Sequence, residues 1–389
     1  MAAFDVTLGV PMLLVARKNL FSERTRLAIA VGGIALSVFL ISLLLSLYRG
    51  WDEKVGKFVE DSNVDVWVGA VGTKDFMRAA SLVPLEGSEE FDDQVPIQEW
   101  APIIVRPMVG VKVEFPRDPD NPGAELDLQL IGYDVQTGLG GPIKIVKGKE
   151  NPGPGEVIID KALASRYNID LDDVISAGGK DWTVVGISEG GDFVASQTVF
   201  VTLEQAQETL QMEGQATFIV FDLFDTVDDE AFAADVAVLA PGAIGFTRDQ
   251  FAANTREVIL GEVLPILGIV LALAFVVGLA VSGLTIYTAT IEKSREYGII
   301  KAVGFKNFYL YRLVFEQSMV TGALGFAIGI GLTLLFGPLV GNRVPQFVTL
   351  VRWEDVLAVF GATVLMSLFA SYVPVRRLAA IDPVSVFKA

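Results

Sequence analysis

Four long apolar blocks interrupt an otherwise mixed chain, and their lengths predict its architecture. Leu27–Tyr48 is 22 residues without a charge, about 33 Å as a helix and enough to cross a bilayer. Val263–Ile291 is 29 uncharged residues, longer than a bilayer requires, and a helical-looking stretch precedes it from Thr247. The third block is Leu313–Gly341 and the fourth Val356–Val375. Between the first two lies a different pattern. Short runs rich in β-branched and aromatic residues predict strands at Val64–Val68, Ile103–Val113, Leu126–Ile131, Glu156–Ile159, Trp182–Ile187, Thr198–Val201 and Phe218–Phe221. Helical stretches are predicted at Lys161–Tyr167, Leu203–Leu210 and Asp228–Leu239. The fold class that follows is an α-helical membrane protein with four transmembrane helices, and an α+β extracytoplasmic domain inserted between helices 1 and 2.

Basic residues orient these blocks. Residues 292–312 hold Lys293, Arg295, Lys301, Lys306 and Arg312 against Glu292 and Glu296, which places this short loop in the cytoplasm. Arg24 and Arg26 before the first span, and Arg376 and Arg377 after the fourth, agree with both termini cytoplasmic. The expected division is 1–26 as a cytoplasmic, interfacial amphipathic segment, 27–48 as the first span and 49–257 as the outer domain. An outer stalk and second span follow over 258–291, then the cytoplasmic loop 292–312 and the third span 313–341. A short outer segment 342–355, the fourth span 356–375 and a tail 376–389 complete it. Pro/Gly/Asn-rich turns at Pro116–Pro122 and Asn151–Gly155 predict an inserted lobe of about residues 115–205. A cleaved leader is the competing reading of the first block, but no small-x-small site precedes Arg49, Trp51 and Asp52.

Composition changes the picture in two ways. Residues 49–257 carry 38 acidic and 16 basic side chains, a net of −22 within a chain of net −17, so the remainder is at +5. An acidic outer surface of that kind disfavours nucleic acid. The chain also has no cysteine and no histidine, which removes thiolate chemistry, His-based zinc sites and His-dependent hydrolytic triads. Its 52% hydrophobic content and mean hydropathy of +0.50 fit an integral membrane protein.

Few stretches promise chemistry. No phosphate-binding Gly-x4-Gly-Lys-Ser/Thr loop is present, and Gly178–Gly179–Lys180 reads as a turn. The carboxylate pairs Glu89/Glu90, Asp92/Asp93 and Asp228/Asp229 lack calcium-loop spacing. Glu262 and Pro265 sit near the outer end of the second span. Small residues at helical spacing, Gly33 and Ser37 in the first span and Gly325 and Gly329 in the third, permit close helix packing. In the cytoplasmic loop, Ile291, Tyr297, Ile299, Ile300 and Val303 alternate with charges, predicting a short amphipathic helix stopped near Gly304. Its cations would serve topology alone, or a partner as well.

Four stretches carry a resemblance. They are Ala16–Leu20 with Arg24–Leu27 and Gly33–Ala35; Gly155–Ile159 with Leu163, Ala164, Trp182–Ile187 and Thr198–Val201; Glu292–Gly304; and Pro374–Arg377 with Ile381–Val384. Together with the layout of spans, they resemble the permease subunit of the MacB/FtsX family of ABC transporters, which includes LolC-type lipoprotein-releasing permeases. The chain departs from the MacB arrangement in having no fused ATPase, so the resemblance implies a separate cytoplasmic P-loop ATPase holding ATP and Mg, and no cofactor in this chain.

The resemblance further implies a non-catalytic subunit of a bacterial cytoplasmic (inner) membrane that pairs with a second permease copy or a close homologue. ATP-driven closure would be relayed from the loop to the outer domain, with Glu292, Arg295, Glu296, Ile299 and Lys301 as the ATPase-docking set. The work done would be export or extraction of a peptide, lipid, lipoprotein or hydrophobic compound, with a periplasmic adaptor as an additional partner. The alternative is force transmission, without transport, to an extracellular cell-wall hydrolase.

Overall fold

In the computed structural model, the described residues are 24–77, 81–86, 97–115, 123–177, 179–190, 196–240, 242–302, 307–341 and 347–379. The amphipathic segment 4–20, the carboxylates of 89–93, the turn 116–122, Gly304, the start of the segment after the third block, and Ile381–Val384 lie outside them. The chain divides into two compact units. One comprises Met1–Arg49, Leu264–Val340 and Thr349–Ala389, the other Gly50–Val263 and Gly341–Val348.

The second unit is built on β-structure. Its strands are β1 (Val66–Ala70), β2 (Val83–Pro84), β3 (Ile97–Glu114), β4 (Ala124–Tyr133), β5 (Lys144–Gly148) and β6 (Glu156–Asp160). They continue with β7 (Val174–Ala177), β8 (Lys180–Glu189), β9 (Gln197–Thr202), β10 (Gln215–Ala216), β11 (Phe218–Leu223) and β12 (Ala243–Thr247). The main sheet runs β12-β1-β11-β3-β4-β9-β6-β8-β5.

The 18-residue β3 belongs to two structures at once. Its first half pairs with β11, from Ile97 to Ile103, and its far end pairs with β7 at Val113 and Glu114. Because β7 also pairs with β8, the path β3-β4-β9-β6-β8-β7 returns to β3 and closes a six-stranded barrel. A barrel of so few strands is filled by its own side chains. Leu128, Leu130, Val157, Ile175, Trp182, Val199 and Val201 pack inside, leaving a cavity of about 30 Å³.

Two helices complete the barrel, and their ends are written in the sequence. Helix Lys161–Tyr167 starts at Asp160, whose carboxylate accepts from Leu163 N at 2.6 Å and from Thr198 N at 2.7 Å. One buried side chain therefore caps a helix and ties β6 to β9. Helix Leu203–Leu210 begins with a reciprocal capping box between Thr202 and Gln205.

The open half of the sheet is covered on both faces. Val66 and Val68 pack with Phe221, Phe232 and Val236 on one side, where helix Asp229–Leu239 lies. Trp67 points the other way into Phe76, Phe218 and Phe251, with ring centroids 5.3–5.8 Å apart. Near this aromatic cluster, helix Lys57–Asp61 is entered through Gly56 at φ +84°, where a Cβ would stand 2.8 Å from the Ala252 carbonyl oxygen.

The first unit holds most of the four apolar helices, each long enough to cross a membrane: Arg24–Lys54, Arg248–Glu292, Asn307–Gly341 and Trp353–Ala379. Here they are α1, α6, α8 and α9, with α2 to α5 being, in order, Lys57–Asp61, Lys161–Tyr167, Leu203–Leu210 and Asp229–Leu239. The helical stretch from Thr247 and the second apolar block are one helix of 45 residues, with Pro265 inside it.

Small residues let these helices meet. A Cβ on Gly325 would fall 2.6 Å from Ile34 Cγ2, and one on Gly329 would fall 2.6 Å from Val38 Cγ1, so α8 lies against α1 at both positions. Gly33 faces Val281 of α6, and Ser37 faces Gly278 one turn away. The buried hydroxyls of Ser42 and Thr333 share a hydrogen bond of 2.5 Å across the α1–α8 contact. Arg49, at the far end of this helix, grips both carboxylate oxygens of Asp355 at 3.1 Å, a bidentate bridge from α1 to α9.

Candidate coupling surface

The candidate site is the short helix that follows α6. Ser294–Ala302, α7, is separated from Glu292 by a single residue, and backbone bonds from Lys293 N to Ala289 O (3.2 Å) and from Tyr297 N to Lys293 O (3.0 Å) carry the chain around the corner. Successive residues of a helix are 100° apart, so Tyr297 and Ile299 cannot share a face. The structure separates them. Tyr297 is 3% exposed and packs among Leu310, Leu313 and Val314 of α8, with Ile286 and Val375 beside it. Ile299 is 46% exposed on the opposite side, flanked by exposed Arg295 and Glu296.

Four of the five residues expected to dock a partner therefore stand at the surface here. Arg295 and Ile299 are one turn apart, Glu296 is next to Arg295, and Glu292 precedes them by a turn at the end of α6. Lys301 is half-buried and lies off that face. Glu292 also has an intramolecular role, since its carboxylate accepts from the Arg26 guanidinium at 2.6 Å and so ties the start of α1 to the end of α6. Chemically, this surface offers one apolar side chain framed by charges of both signs on a helix anchored by a buried ring. That combination gives register and contact area to a docking partner.

The sequence pattern places Tyr297 with Ile299 in one apolar set and gives Arg26 a topological role, and it predicts neither the buried anchor nor the ion pair. Tyr297 was countable by angle, since it falls 200° from Ile299. Arg26 is 266 positions from Glu292, and no local signal joins them.

Elsewhere, the carboxylates of the other unit serve structure. Asp228 accepts from Glu230 N and Ala231 N as the cap of α5, and Asp65 accepts from Leu223 N. They share an open acidic groove with Asp225, Asp229 and Asp249. Burial, followed by the neighbouring Asp65 carboxyl, pushes the Asp222 carboxyl above the usual aspartate range, and burial does the same for Asp229. Among the described residues no group of three or more Asp or Glu side chains is arranged to hold a metal ion.

Four helices long and apolar enough to cross a membrane, a large α+β domain after the first of them, and a short helix between the second and third are the architecture of a membrane protein. Residues 27–239 match the MacB-like periplasmic core domain and residues 268–383 the FtsX-like permease C-terminal region. The chain belongs to the MacB/FtsX family of ABC transporter permeases.

An uncharacterised ABC transporter permease of Mycobacterium tuberculosis is 23% identical over 97% of this chain and 99% of its own. Another, from Methanocaldococcus jannaschii, is 22% identical over 57% of this chain and 58% of its own. A Pseudomonas syringae pv. tomato protein, named "Probable syringafactin export ATP-binding/permease protein", is 25% identical over 55% of this chain and 33% of its own. Among solved structures, the periplasmic region of MacB from Actinobacillus actinomycetemcomitans aligns with a TM-score of 0.37 at 11% identity, covering 49% of this chain and 92% of that one.

Proposed function

We propose that this permease is the membrane subunit of an ABC exporter, relaying ATP-driven motion from a separate cytoplasmic ATPase to its extracytoplasmic domain. The observation that carries the reading is the α7 surface, with Arg295, Glu296 and Ile299 outward and Tyr297 locked against α8. A push on the outer face of such a helix is delivered through the Tyr297 ring to α8, and through Glu292 and Arg26 to α1. Rigid elements with packed contacts of this kind pass displacement on as helix shifts of an ångström or more.

The basic excess of residues 292–312 supports a cytoplasmic α7, with both termini on the same side, in a bacterial cytoplasmic membrane. A second permease copy or close homologue would complete the transport unit, and ATP and Mg would be held by the ATPase. The cargo proposed is a peptide, lipid, lipoprotein or hydrophobic compound, and export as the direction is supported by the name of the Pseudomonas relative. The test is Arg295→Glu. The protein is expected to insert normally and to lose stimulation of the co-purified ATPase, whereas unchanged stimulation would refute α7 as the docking element.

A further inference from the structure

A pocket lies on the inner side of the same corner, among α1, α6, α7 and α8. Its polar lining includes Arg26 and Lys293, together with Tyr297 and Gln317. Thr285 of α6 and Thr321 of α8 add hydroxyls, and the apolar part of the wall is Leu27 and Ala30 on α1 with Ile286 and Ala289 on α6. The volume is about 50 Å³. A single water needs only about 10–15 Å³ of occupied space, so the pocket has room for a group of several heavy atoms.

The placement is as informative as the size. Arg26 stands three residues into α1, and Lys293 follows the last residue of α6, so both cations lie where spans enter and leave the apolar layer. A guanidinium presents five donors in a fork that matches phosphate oxygens, and it can serve a carboxylate and a phosphate together. The Glu292 carboxylate on Arg26 offsets part of the positive charge that Arg26 and Lys293 bring to the pocket.

We infer that this pocket binds the phosphate head of an anionic phospholipid, its acyl chains running along the apolar wall of α1 and α6. With the orientation proposed above, the lipid belongs to the inner leaflet. Because Lys293 and Tyr297 line the pocket and also begin and anchor α7, the bound headgroup holds the docking helix in place. Inner-leaflet composition then tunes coupling.

The test uses the full chain in mild detergent, with bound lipid counted by native mass spectrometry. A short-chain phosphatidylglycerol is titrated against short-chain phosphatidylcholine and against inorganic phosphate. The expected result is retention of phosphatidylglycerol, with neither phosphatidylcholine nor inorganic phosphate competing at equal concentration. Lys293→Gln should weaken phosphatidylglycerol roughly fivefold, and Arg26→Gln with Lys293→Gln by about 25-fold, the attraction of one and two near-surface cations for an anionic lipid.

Glu292→Gln breaks the same ion pair as Arg26→Gln but removes no cation, so it should bind phosphatidylglycerol at least as well as the parent. Equal retention of the zwitterionic lipid, or an unchanged affinity in the double variant, would overturn the proposal. Binding of inorganic phosphate as tight as that of the lipid would make it a free-anion site and overturn it as well. If the double variant is unstable, Lys293→Gln and its charge-restoring counterpart Lys293→Arg carry the comparison. None of these readouts requires the ATPase or a membrane orientation, so they can fail while the exporter reading stands, and the reverse.

Discussion

Replacing Gly329 by alanine tests the bundle at the point where the backbones come nearest. The added Cβ would meet Val38 Cγ1 at 2.6 Å, Val38 Cβ at 2.7 Å and the Ala35 carbonyl oxygen at 2.8 Å, against an ordinary contact of 3.4–4 Å. The carbonyl cannot rotate away, so α8 must retreat from α1 by about 0.6–0.8 Å, breaking into the adjoining Ser42–Thr333 hydrogen bond. Overpacking of that kind costs about 1–3 kcal/mol. Gly331, two residues on in the same helix, has nothing within 4 Å of its would-be Cβ. Both substitutions gain the same helix propensity, about 1 kcal/mol in water, so their difference isolates the contact. Unfolding of the detergent-solubilised protein in a denaturant or heat series should therefore place Gly329→Ala about 1–3 kcal/mol below Gly331→Ala. Equal stabilities would show that α1 and α8 do not meet as described, and the small-residue argument would fall with them.

Tyr297→Ala should remove about 3 kcal/mol of anchoring and abolish stimulation of the ATPase with insertion intact, while Tyr297→Phe keeps the ring and most of the stimulation; an ATPase assay on the purified complex separates them. Asp160→Ala leaves the buried Thr198 N–H without its acceptor as well as uncapping α3, so a loss of about 2–3 kcal/mol is expected in thermal unfolding, with Asp160→Asn milder. The raised Asp222 carboxyl holds its proton more tightly folded than unfolded. Its contribution to stability is thus present below the ordinary aspartate pKa and is lost as pH rises through the raised value. Asp222→Asn should accordingly stabilise the domain at pH 7, by no more than about 1 kcal/mol for so exposed a group, and change nothing near pH 3. Because the chain has no cysteine, Lys144→Cys and Arg295→Cys can be probed singly with a membrane-impermeant maleimide on intact cells. Labelling is expected at 144 alone, and labelling at 295 would invert the proposed orientation.

What could be read in advance follows from how far each signal reaches along the chain. The four spans are long uninterrupted apolar blocks, and nothing outside them is needed to recognise them. Helices α3 and α4 begin as the residue pattern implies, because Asp160 and the Thr202–Gln205 box are local devices. Strands β6, β8, β9 and β11 are buried over most of their length, so their apolar runs show. By contrast β5, Lys-Ile-Val-Lys-Gly, is mostly exposed and pairs on one side only, with β8; its lysines hide it from a hydrophobic pattern while suiting an edge. β7, Val-Ile-Ser-Ala, and β12, Ala-Ile-Gly-Phe-Thr, break their apolar runs with small or polar residues, so their sequences carry little strand signal.

Closure of the barrel was out of reach for a different reason. It rests on two residue pairs, Val113 with Ala177 and Glu114 with Ser176, about sixty positions apart. The same limit applied to the coupling surface. The sequence pattern groups Tyr297 with Ile299 in one apolar set, but burial against Leu310, Leu313 and Val314 takes Tyr297 alone, and the pairing of Glu292 depends on Arg26. Under the proposed docking, Glu292 would serve two competitors, an arginine within the chain and a partner outside it. A docking protein that captures this carboxylate releases Arg26 from its bridge, so α7 engagement and the hold of α6 on α1 are linked through one ion pair. If that linkage operates, Glu292→Gln should retain partner binding through Arg295 and Ile299 while changing the ATPase rate that binding elicits. A variant whose binding and rate fall in strict proportion would show that Glu292 is only part of the docking face.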